Sequence, residues 1–289
     1  MTPPTNGDLT GKVVAITGAN TGIGLATATE LVRRGATVLA CGRDAAKLER
    51  AASTLRAAAD GAQVETFVAD LASLAQVRDL AASIAERADR LNVLIHNAGV
   101  ATDRRIETED GLELTFAVNV AAPFVLTREL LPLLRASAPA RVVTVSSALH
   151  ASVRALDLDD LQSTQAYRWS DVYNRAKLAS ILFSNELARR LDGSGVTANA
   201  LHPGVVATDF GADGDLRGVN ALMFRVAKRF LPGPAAGART PLHVATAPEL
   251  EGVTGRYFDG GAEKDPSPLA RDEALAEALW ARLEGIVGG

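Results

Sequence analysis

The sequence of 289 residues has little cysteine, few aromatic residues and almost no excess charge. Its one cysteine, Cys41, cannot form an internal disulfide, which is typical of a protein from a reducing compartment. Aromatic residues make up 4% of the chain, so the core must be built from alanine, valine and leucine. The net charge of −4 gives no overall attraction to nucleic acid or to an anionic membrane surface.

Signals for export and for membrane insertion are also missing from the sequence. Residues 1–12 have neither the basic stretch nor the apolar stretch of a signal peptide. No segment approaches the roughly 18 uncharged apolar residues that a membrane span needs. Because 47% of the residues are hydrophobic and 22% are charged, we expect a folded cytoplasmic protein without a membrane span.

Short apolar runs alternate with longer segments in which leucine and alanine recur at helical spacing. The predicted strands are 13–16, 37–40, 64–68, 93–95, 141–145 and 196–201, and the predicted helices are 23–34, 45–59, 74–88, 112–134 and 172–191. Near-continuous apolar runs indicate strands buried on both faces, and strands separated by helices are typical of βαβ units. The sequence therefore predicts an α/β fold with a Rossmann-like, doubly wound parallel sheet of about seven strands.

The organisation of the chain predicts one domain over residues 1–289. The length would allow two domains, but no linker rich in proline, glycine or serine divides the sequence. Residues 1–10 are expected to be a flexible terminus. After residue 208 the pattern changes, with a further strand near 255–258 and a last helix at 270–284.

A glycine-rich turn follows the first predicted strand. Gly18, Gly22 and Gly24 have the spacing Gly-x-x-x-Gly-x-Gly and open the first helix. Glycines allow a ligand to approach the backbone, and a helix N-terminus presents N–H groups to an anion. A pyrophosphate is the ligand that this geometry favours. The alternative is a glycine-rich turn that binds nothing.

The end of the second strand bears on the choice of cofactor. An acidic residue there accepts a hydrogen bond from the ribose of NAD, whereas an arginine accommodates the 2′-phosphate of NADP. Gly42 leaves space and Arg43 supplies the charge, so NADP is favoured over NAD. Asp44 follows, and it is also a candidate cap for the helix that starts at Ala45. The alternative is that Arg43 is only a solvated loop charge.

Tyr173 and Lys177 stand four residues apart on a predicted helix, which places them one turn apart on the same face. A nearby ammonium would lower the pKa of the tyrosine from about 10 and make it a usable general acid or base. Taken alone, such a pair is more often a surface pair. Ser147 follows the strand at 141–145, at the edge where open α/β sheets bind ligands, and no nucleophile elbow surrounds it. We therefore expect its hydroxyl to bind a substrate oxygen.

These motifs together resemble the classical short-chain dehydrogenases/reductases, and most of all their retinol dehydrogenase and WW-domain oxidoreductase-like branch. Leu158–Gln162 before the tyrosine, residues 178–183 after it, and the long gap from Ser147 to Tyr173 carry the likeness to this branch. His96 stands where the family motif has asparagine, which would alter the turn on the cofactor side. Residues 121–123 depart from the histidine-rich sequence that is common in the branch.

The resemblance implies hydride transfer between NADP(H) and a carbonyl or alcohol substrate. Tyr173 would exchange a proton with the substrate oxygen, Ser147 would orient that oxygen, Lys177 would hold the nicotinamide ribose, and Asn119 would position a water molecule. The implied catalytic residues are thus Asn119, Ser147, Tyr173 and Lys177. The implied cofactor-binding residues are Gly18, Asn20, Thr21, Gly22, Ile23, Gly24, Arg43, Asp70, Leu71, Asn97, Ala98, Gly99, Tyr173, Lys177, Pro203, Gly204, Val206 and Thr208.

The resemblance also places a substrate lid at residues 208–235. This segment holds several bulky apolar residues, which would either cover an apolar substrate or pack on the body of the protein or a neighbouring subunit. The four histidines lack metal-ligand spacing, so no metal is expected. A homodimer or homotetramer is possible on family grounds. The alternatives to an NADP-dependent oxidoreductase are a non-catalytic dinucleotide sensor or scaffold and a dehydratase or epimerase on the same fold.

Overall fold

The computed structural model describes residues 8–204 and 232–288, and within these ranges the strands form one eight-stranded sheet. The strands are β1 (Val13–Thr17), β2 (Thr37–Gly42), β3 (Val64–Val68), β4 (Val93–His96), β5 (Ala140–Val145), β6 (Val196–His202), β7 (Tyr257–Asp259) and β8 (Ala262–Lys264). Their order is β3-β2-β1-β4-β5-β6-β7-β8, and every neighbouring pair up to β7 is parallel. The Rossmann-like doubly wound fold predicted from the sequence is confirmed.

The winding of the chain creates the site for a ligand. From β1 the chain moves outward to β3, and it then crosses back to β4, which pairs with the other edge of β1. The connections after β1 and β4 therefore leave the sheet in opposite directions. Such a switch point opens a crevice beyond the carboxyl ends of the two strands, where ligands of open α/β sheets bind.

Helices connect most of the strands in the described residues. They are α1 (Gly22–Arg33), α2 (Ala45–Arg56), α3 (Leu74–Arg87), α4 (Leu114–Phe116), α5 (Ala122–Ala136), α6 (Trp169–Arg190), α7 (Pro234–Gly237), α8 (Arg239–Thr246) and α9 (Glu273–Val287). A π-helical turn, Ala117–Ala121, joins α4 to α5, and short 3-10 helices occupy Ala148–Ser152, Pro248–Leu250 and Pro268–Arg271. Asp44, Ser73 and Asp272 cap α2, α3 and α9 through their side chains, as helix N-termini favour.

The core lies on both faces of the sheet, because alternate strand residues point to opposite sides. Ala15, Leu94 and their neighbours on one face pack against α3, α5, α6 and α9. Ile16, Ile95 and their neighbours on the other face pack against α1, α2 and α8. Three aromatic residues meet on the first of these faces. The rings of Phe124, Phe183 and Trp280 contact one another between α5, α6 and α9.

Several boundaries differ from those expected. β8 adds an eighth, antiparallel strand, and its three exposed residues carry no apolar pattern that would have predicted it. α5 ends at Ala136 instead of 134, with Pro132 inside it, because proline removes only its own N–H donor. The last helix runs over Glu273–Val287 instead of 270–284, since Pro268–Arg271 forms a separate 3-10 turn.

The helical run Leu114–Ala136 is the one stretch in the described residues that is long and apolar enough to cross a membrane. In the fold, 72% of its apolar window is buried, as in a core helix packed on a sheet. The predicted flexible terminus and the predicted lid at 208–235 fall mostly outside the described residues.

Candidate active site

A cavity of about 770 Å³ occupies the crevice at the carboxyl ends of the strands. It brings together, from five strands and their following turns, the predicted cofactor-binding residues that the structure describes. These are Gly18, Asn20, Thr21, Gly22, Ile23, Gly24, Arg43, Asp70, Leu71, Asn97, Ala98, Gly99, Tyr173, Lys177, Pro203 and Gly204. Val206 and Thr208 lie outside the described residues.

The turn between β1 and α1 fits a pyrophosphate. Gly18 and Gly22 have positive φ angles of 68° and 55°, which favour glycine. A Cβ atom at Gly24 would lie 2.2 Å from the carbonyl oxygen of Gly18, so only glycine allows α1 to start so close to the turn. The side chain of Thr21 makes no cap hydrogen bond, which leaves the first N–H groups of α1 to a ligand in the cavity.

The far end of the cavity lies beside the start of α2. The carboxylate of Asp44 accepts a hydrogen bond from the backbone N–H of Lys47 at 2.9 Å, and this bond holds the pKa of Asp44 below its usual value. Asp44 therefore caps the N-terminus of α2, which is one of the roles that the sequence suggested for it. Arg43 and Lys47 both line this end of the cavity. Lys47 was not predicted from the sequence, although its position one helical turn after Arg43 is a usable signal.

At the opposite end of the cavity, Ser147 and Tyr173 share a hydrogen bond between their hydroxyl groups. Burial raises the pKa of Tyr173 to about 12, and the bond from Ser147 only partly offsets this rise. Ser147 also accepts a hydrogen bond from the N–H of Leu149 at 3.2 Å, because it caps the 3-10 helix that follows β5. The two hydroxyls are thus placed side by side at the carboxyl end of β5.

Lys177 lies beside Tyr173 and makes its hydrogen bond to β5. Its Nζ donates to the carbonyl oxygen of Val145 at 3.0 Å and lies 5.6 Å from the centre of the Tyr173 ring. The side chain is 4% exposed, and burial lowers the pKa of Lys177 to about 8. The spacing correctly placed both side chains in the cavity. Burial of the phenol raises the pKa of Tyr173 overall, and the expected lowering of this pKa by Lys177 stays a prediction.

Asn119 lies in the π-helical turn and points toward the same region. Its Nδ2 donates to the carbonyl oxygens of Val100 and Thr115 at 2.8 and 2.7 Å, while its buried Oδ1 has no hydrogen-bond partner among the described residues. A Cβ atom at Gly99 would lie 2.8 Å from this Oδ1 and 3.3 Å from Nζ of Lys177. The two polar atoms therefore border one small space, which suits a bound water with two partners.

Two further side chains near the site are buried for structural reasons. The carboxylate of Glu113 is 0% exposed and accepts hydrogen bonds from the N–H groups of Thr115 and Phe116, which fixes α4 ahead of the π-helical turn. His96 points away from the cavity and contacts Thr127 at 2.7 Å, and burial lowers its pKa to about 3. The side chain of His96 is thus received by α5, and its expected effect on the cofactor-side turn stays a prediction.

The wall of the cavity near Tyr173 is apolar. Leu149 is 51% exposed, and Trp169 lies one turn before Tyr173 on α6. Val100, Leu114 and Val118 complete this wall. Sequence reasoning missed all five, and the spacing of Trp169 from Tyr173 is the one local signal for any of them. Cys41 is buried, and burial raises its pKa to about 12.

Metal chemistry has no support in the described residues. Within 8–204 and 232–288, no group of three His, Cys, Asp or Glu side chains is arranged to hold a metal ion.

Comparison with known proteins agrees with this arrangement of motifs. Residues 12–215 match the family model described as short chain dehydrogenase. The chain is similar to human retinol dehydrogenase 13, with 43% identity over 99% of this chain and 87% of the relative. It is also similar to human retinol dehydrogenase 14, with 45% identity over 96% of this chain and 87% of the relative.

Among solved structures, a protein from Mycobacterium paratuberculosis matches with a TM-score of 0.78 and 33% identity, over 98% of this chain and 96% of that one. The complex of Pseudomonas aeruginosa RhlG with NADP matches with a TM-score of 0.69 and 28% identity, over 88% of this chain and 97% of that one.

The burial of Lys177 generates a test of stability. With a pKa of about 8 against an ordinary 10.5, the charged side chain costs the folded state about 3 kcal/mol at pH 7. Lys177→Met removes this cost and the hydrogen bond to Val145, worth about 1 kcal/mol. We therefore expect the free energy of unfolding at pH 7 to be about 2 kcal/mol higher in the variant.

Between pH 8 and 10.5 the folded chain of the unsubstituted protein loses this proton before the unfolded chain does, and its stability rises. The gain of the variant should therefore approach zero by about pH 9.5.

Urea denaturation at pH 7 and pH 9.5 measures both effects. Lys12→Met, at an exposed site, is the control and should change stability by less than about 0.5 kcal/mol at either pH. A Lys177→Met variant that is less stable than the unsubstituted protein at pH 7, or whose gain is the same at both pH values, contradicts this account.

Proposed function

The chain belongs to the short-chain dehydrogenase/reductase family, in its retinol dehydrogenase-like branch, and we propose that it is an NADP-dependent oxidoreductase. It would interconvert an apolar alcohol and the corresponding carbonyl compound. One observation carries the proposal. A single cavity runs from the glycine turn that fits a pyrophosphate to the paired hydroxyls of Ser147 and Tyr173. Family membership implies a nicotinamide dinucleotide, and the glycine turn, with its close approach of Gly24 to Gly18, fits that group.

In this reaction the nicotinamide supplies or accepts the hydride. Tyr173 gives its hydroxyl proton to the substrate oxygen during reduction, and in oxidation its phenolate takes the proton of the alcohol. Ser147, which is hydrogen-bonded to Tyr173, holds the substrate oxygen beside that hydroxyl. Because Tyr173 keeps its proton near neutral pH, the residue is ready to act as the acid in carbonyl reduction.

Lys177 and Asn119 are proposed to replenish the proton on Tyr173. Burial lowers the pKa of Lys177 to about 8, so its ammonium can release and regain a proton near neutral pH. The carbonyl oxygen of Val145 orients Nζ, and the space beside Gly99 would hold the water that links Nζ to Oδ1 of Asn119. Such a water would connect the active site to solvent without opening the cavity.

Loss of the Tyr173 hydroxyl separates an enzyme from a non-catalytic dinucleotide sensor. We expect Tyr173→Phe to lower kcat by about 10²- to 10⁴-fold, because the acid that protonates the substrate oxygen is gone. Binding of NADPH, followed by nucleotide fluorescence, should change by less than about twofold because the ring remains. Retention of turnover by Tyr173→Phe contradicts the proposal. Product analysis by mass spectrometry distinguishes a redox product from that of a dehydratase or epimerase.

The preference for NADP rests on Arg43 and Lys47. Both residues line the end of the cavity beside α2, while the nearby carboxylate of Asp44 is engaged as the cap of that helix. A 2′-phosphate at this end would meet two cations, and arginine is suited to bind phosphate with two parallel hydrogen bonds. NAD lacks this phosphate and would gain nothing from either residue.

Removal of Arg43 therefore tests the cofactor preference. We expect Arg43→Leu to raise KM for NADPH by about 10- to 100-fold, as for loss of a charge-assisted hydrogen bond, and to leave KM for NADH almost unchanged. Arg50→Leu makes the same charge change seven residues later, at an exposed position of α2 outside the cavity wall, and should have little effect. Initial rates with NADPH and with NADH measure the cofactor preference. A preference of the unsubstituted protein for NADH would overturn the proposed role of Arg43.

The substrate is proposed to be a lipophilic aldehyde, ketone or alcohol. The wall beside the reacting hydroxyls consists of Leu149, Trp169, Val100, Leu114 and Val118, and none of these residues offers a charge. An exposed leucine and an indole beside a buried acid favour a substrate whose body is apolar and whose single polar end is the carbonyl oxygen. The segment 208–235, which lies mostly outside the described residues, remains a predicted lid over this substrate.

Trp169 offers a direct test of this substrate class. We expect Trp169→Ala to raise KM for long-chain or aromatic aldehydes by about tenfold, because the indole wall is lost, and to leave KM for NADPH unchanged. Arg168→Ala, at the adjacent exposed position, is the matched control. Both variants are assayed with a panel of carbonyl compounds. Turnover of small polar ketols together with no turnover of lipophilic aldehydes or ketones would exclude the apolar substrate.

The remaining predictions concern setting and assembly. We propose that the chain works as one cytoplasmic domain in a bacterium, since its composition is rich in alanine and arginine and its one cysteine is buried and unpaired. Cofactor contacts by Val206 and Thr208 and a homodimer or homotetramer stay predictions. α9 packs along α6, where Trp280 stacks on Phe183. Part of the surface of α6 is therefore covered by α9 of the same chain.

A further inference from the structure

His150 is buried beside Ser147 and is held at both of its ring nitrogens. Nδ1 lies 2.8 Å from the carbonyl oxygen of Ser147, and Nε2 lies 3.1 Å from the backbone nitrogen of Ser267. The side chain is 3% exposed and belongs to the 3-10 helix that follows the catalytic strand. The structure places it between the turn of Ser147 and the segment before α9.

The two partners determine where the imidazole carries its proton. A backbone N–H only donates, so Nε2 must offer a lone pair to Ser267. A carbonyl oxygen only accepts, so Nδ1 must carry the hydrogen that it donates to Ser147. Only the neutral ring protonated at Nδ1 satisfies both contacts. Burial also lowers the pKa of His150, which agrees with a neutral ring.

Packing restricts the plane of the ring as well. The Tyr257 ring stands edge-on to His150 at 5.2 Å, and its hydroxyl lies 2.7 Å from Nδ1 of His202. Nε2 of His202 faces a carboxylate oxygen of Asp259 at 3.1 Å, so the neutral His202 ring donates there and accepts from Tyr257. Tyr257 is thereby fixed against β6, and it supports one face of His150 from the carboxyl end of the sheet.

We propose that His150 is a positioning residue for the reaction described above, acting as a clamp between the Ser147 carbonyl and the Ser267 N–H. The clamp holds the backbone of Ser147 while that residue's hydroxyl hydrogen-bonds to Tyr173. It acts through Ser147 and touches neither substrate nor cofactor. The inference rests on the proposed oxidoreductase function, but the protonation of the ring and its two contacts are properties of the fold.

Substitution of Ser267 tests one contact of the clamp without altering His150. The φ angle of Ser267 is −56°, which proline adopts, so Ser267→Pro removes the N–H donor with little change in backbone shape. Ser267→Ala keeps the N–H and removes only the hydroxyl, and is therefore the matched control. We expect Ser267→Pro to lower kcat about three- to tenfold and Ser267→Ala to change it less than twofold, since small misplacement of a reacting group slows chemistry.

Two substitutions of His150 test the contact to Ser147. His150→Asn keeps an N–H near the position of Nδ1 but leaves the Ser267 N–H without its partner, so it should lower kcat about three- to tenfold, as Ser267→Pro does. His150→Phe preserves the packing against Tyr257 but loses both hydrogen bonds, and it should lower kcat about 10- to 100-fold. The Kd for NADPH should stay within about twofold in both variants. This split between kcat and cofactor binding, together with partial rescue by asparagine, is not expected of a residue that only stabilises the fold.

Nitrogen-15 NMR of the imidazole rings, in the full chain without substrate, reads the protonation directly. The expected spectrum assigns the proton of His150 to Nδ1 in the unsubstituted protein and in Ser267→Ala, and shows a mixture of forms in Ser267→Pro. A ring protonated at Nε2, or full kcat in His150→Phe or in Ser267→Pro, overturns the proposal. If no carbonyl compound is turned over by the unsubstituted protein, the proposed function fails, whereas the NMR comparison still decides whether the clamp exists.

Discussion

The hydrogen bonds that join the ends of β1 and β4 determine the shape of the whole cavity. The hydroxyl of Thr17 accepts from the N–H groups of Asn97 and Ala98, each at 3.1 Å, and the side-chain amide of Asn97 donates to the carbonyl oxygens of Thr17 and Gly18. These bonds tie the two turns together at the point where the winding of the chain reverses. Gly24 then brings the start of α1 against the same turn. The pyrophosphate end and the catalytic end of the cavity are therefore set by one rigid junction.

Predictions from the sequence succeeded where the signal is local. The glycine spacing after β1 and the four-residue spacing of Tyr173 and Lys177 depend only on the geometry of one turn or one helix, and the structure places all of these residues in the cavity. The hydrogen-bond partner of Lys177 was harder to predict. The spacing indicates that Lys177 is near Tyr173, but the carbonyl oxygen of Val145, on a strand distant in sequence, accepts its hydrogen bond. The direction of the tyrosine pKa shift depends on burial, which only the assembled fold determines.

Other features have a weak signal in the sequence or none. Lys47 and Trp169 reach the cavity from positions on helices whose faces are set by tertiary packing. β8 consists of three exposed residues and exists because it pairs with β7. His96 stands where the family has asparagine. Its contact with Thr127 of α5 has no signal in the sequence. Each of these depends on contacts between segments far apart in the chain.

The solitary thiol gives the protein a practical property. Cys41 is buried at the end of β2, its pKa is raised to about 12, and the full sequence contains no second cysteine. A thiol that is neither accessible nor ionised reacts slowly with maleimides and with disulfide reagents. A cysteine introduced at a surface position would therefore be the preferred attachment point for a fluorophore or spin label. The natural residue would not need to be replaced, and distances to the cavity would become measurable in solution.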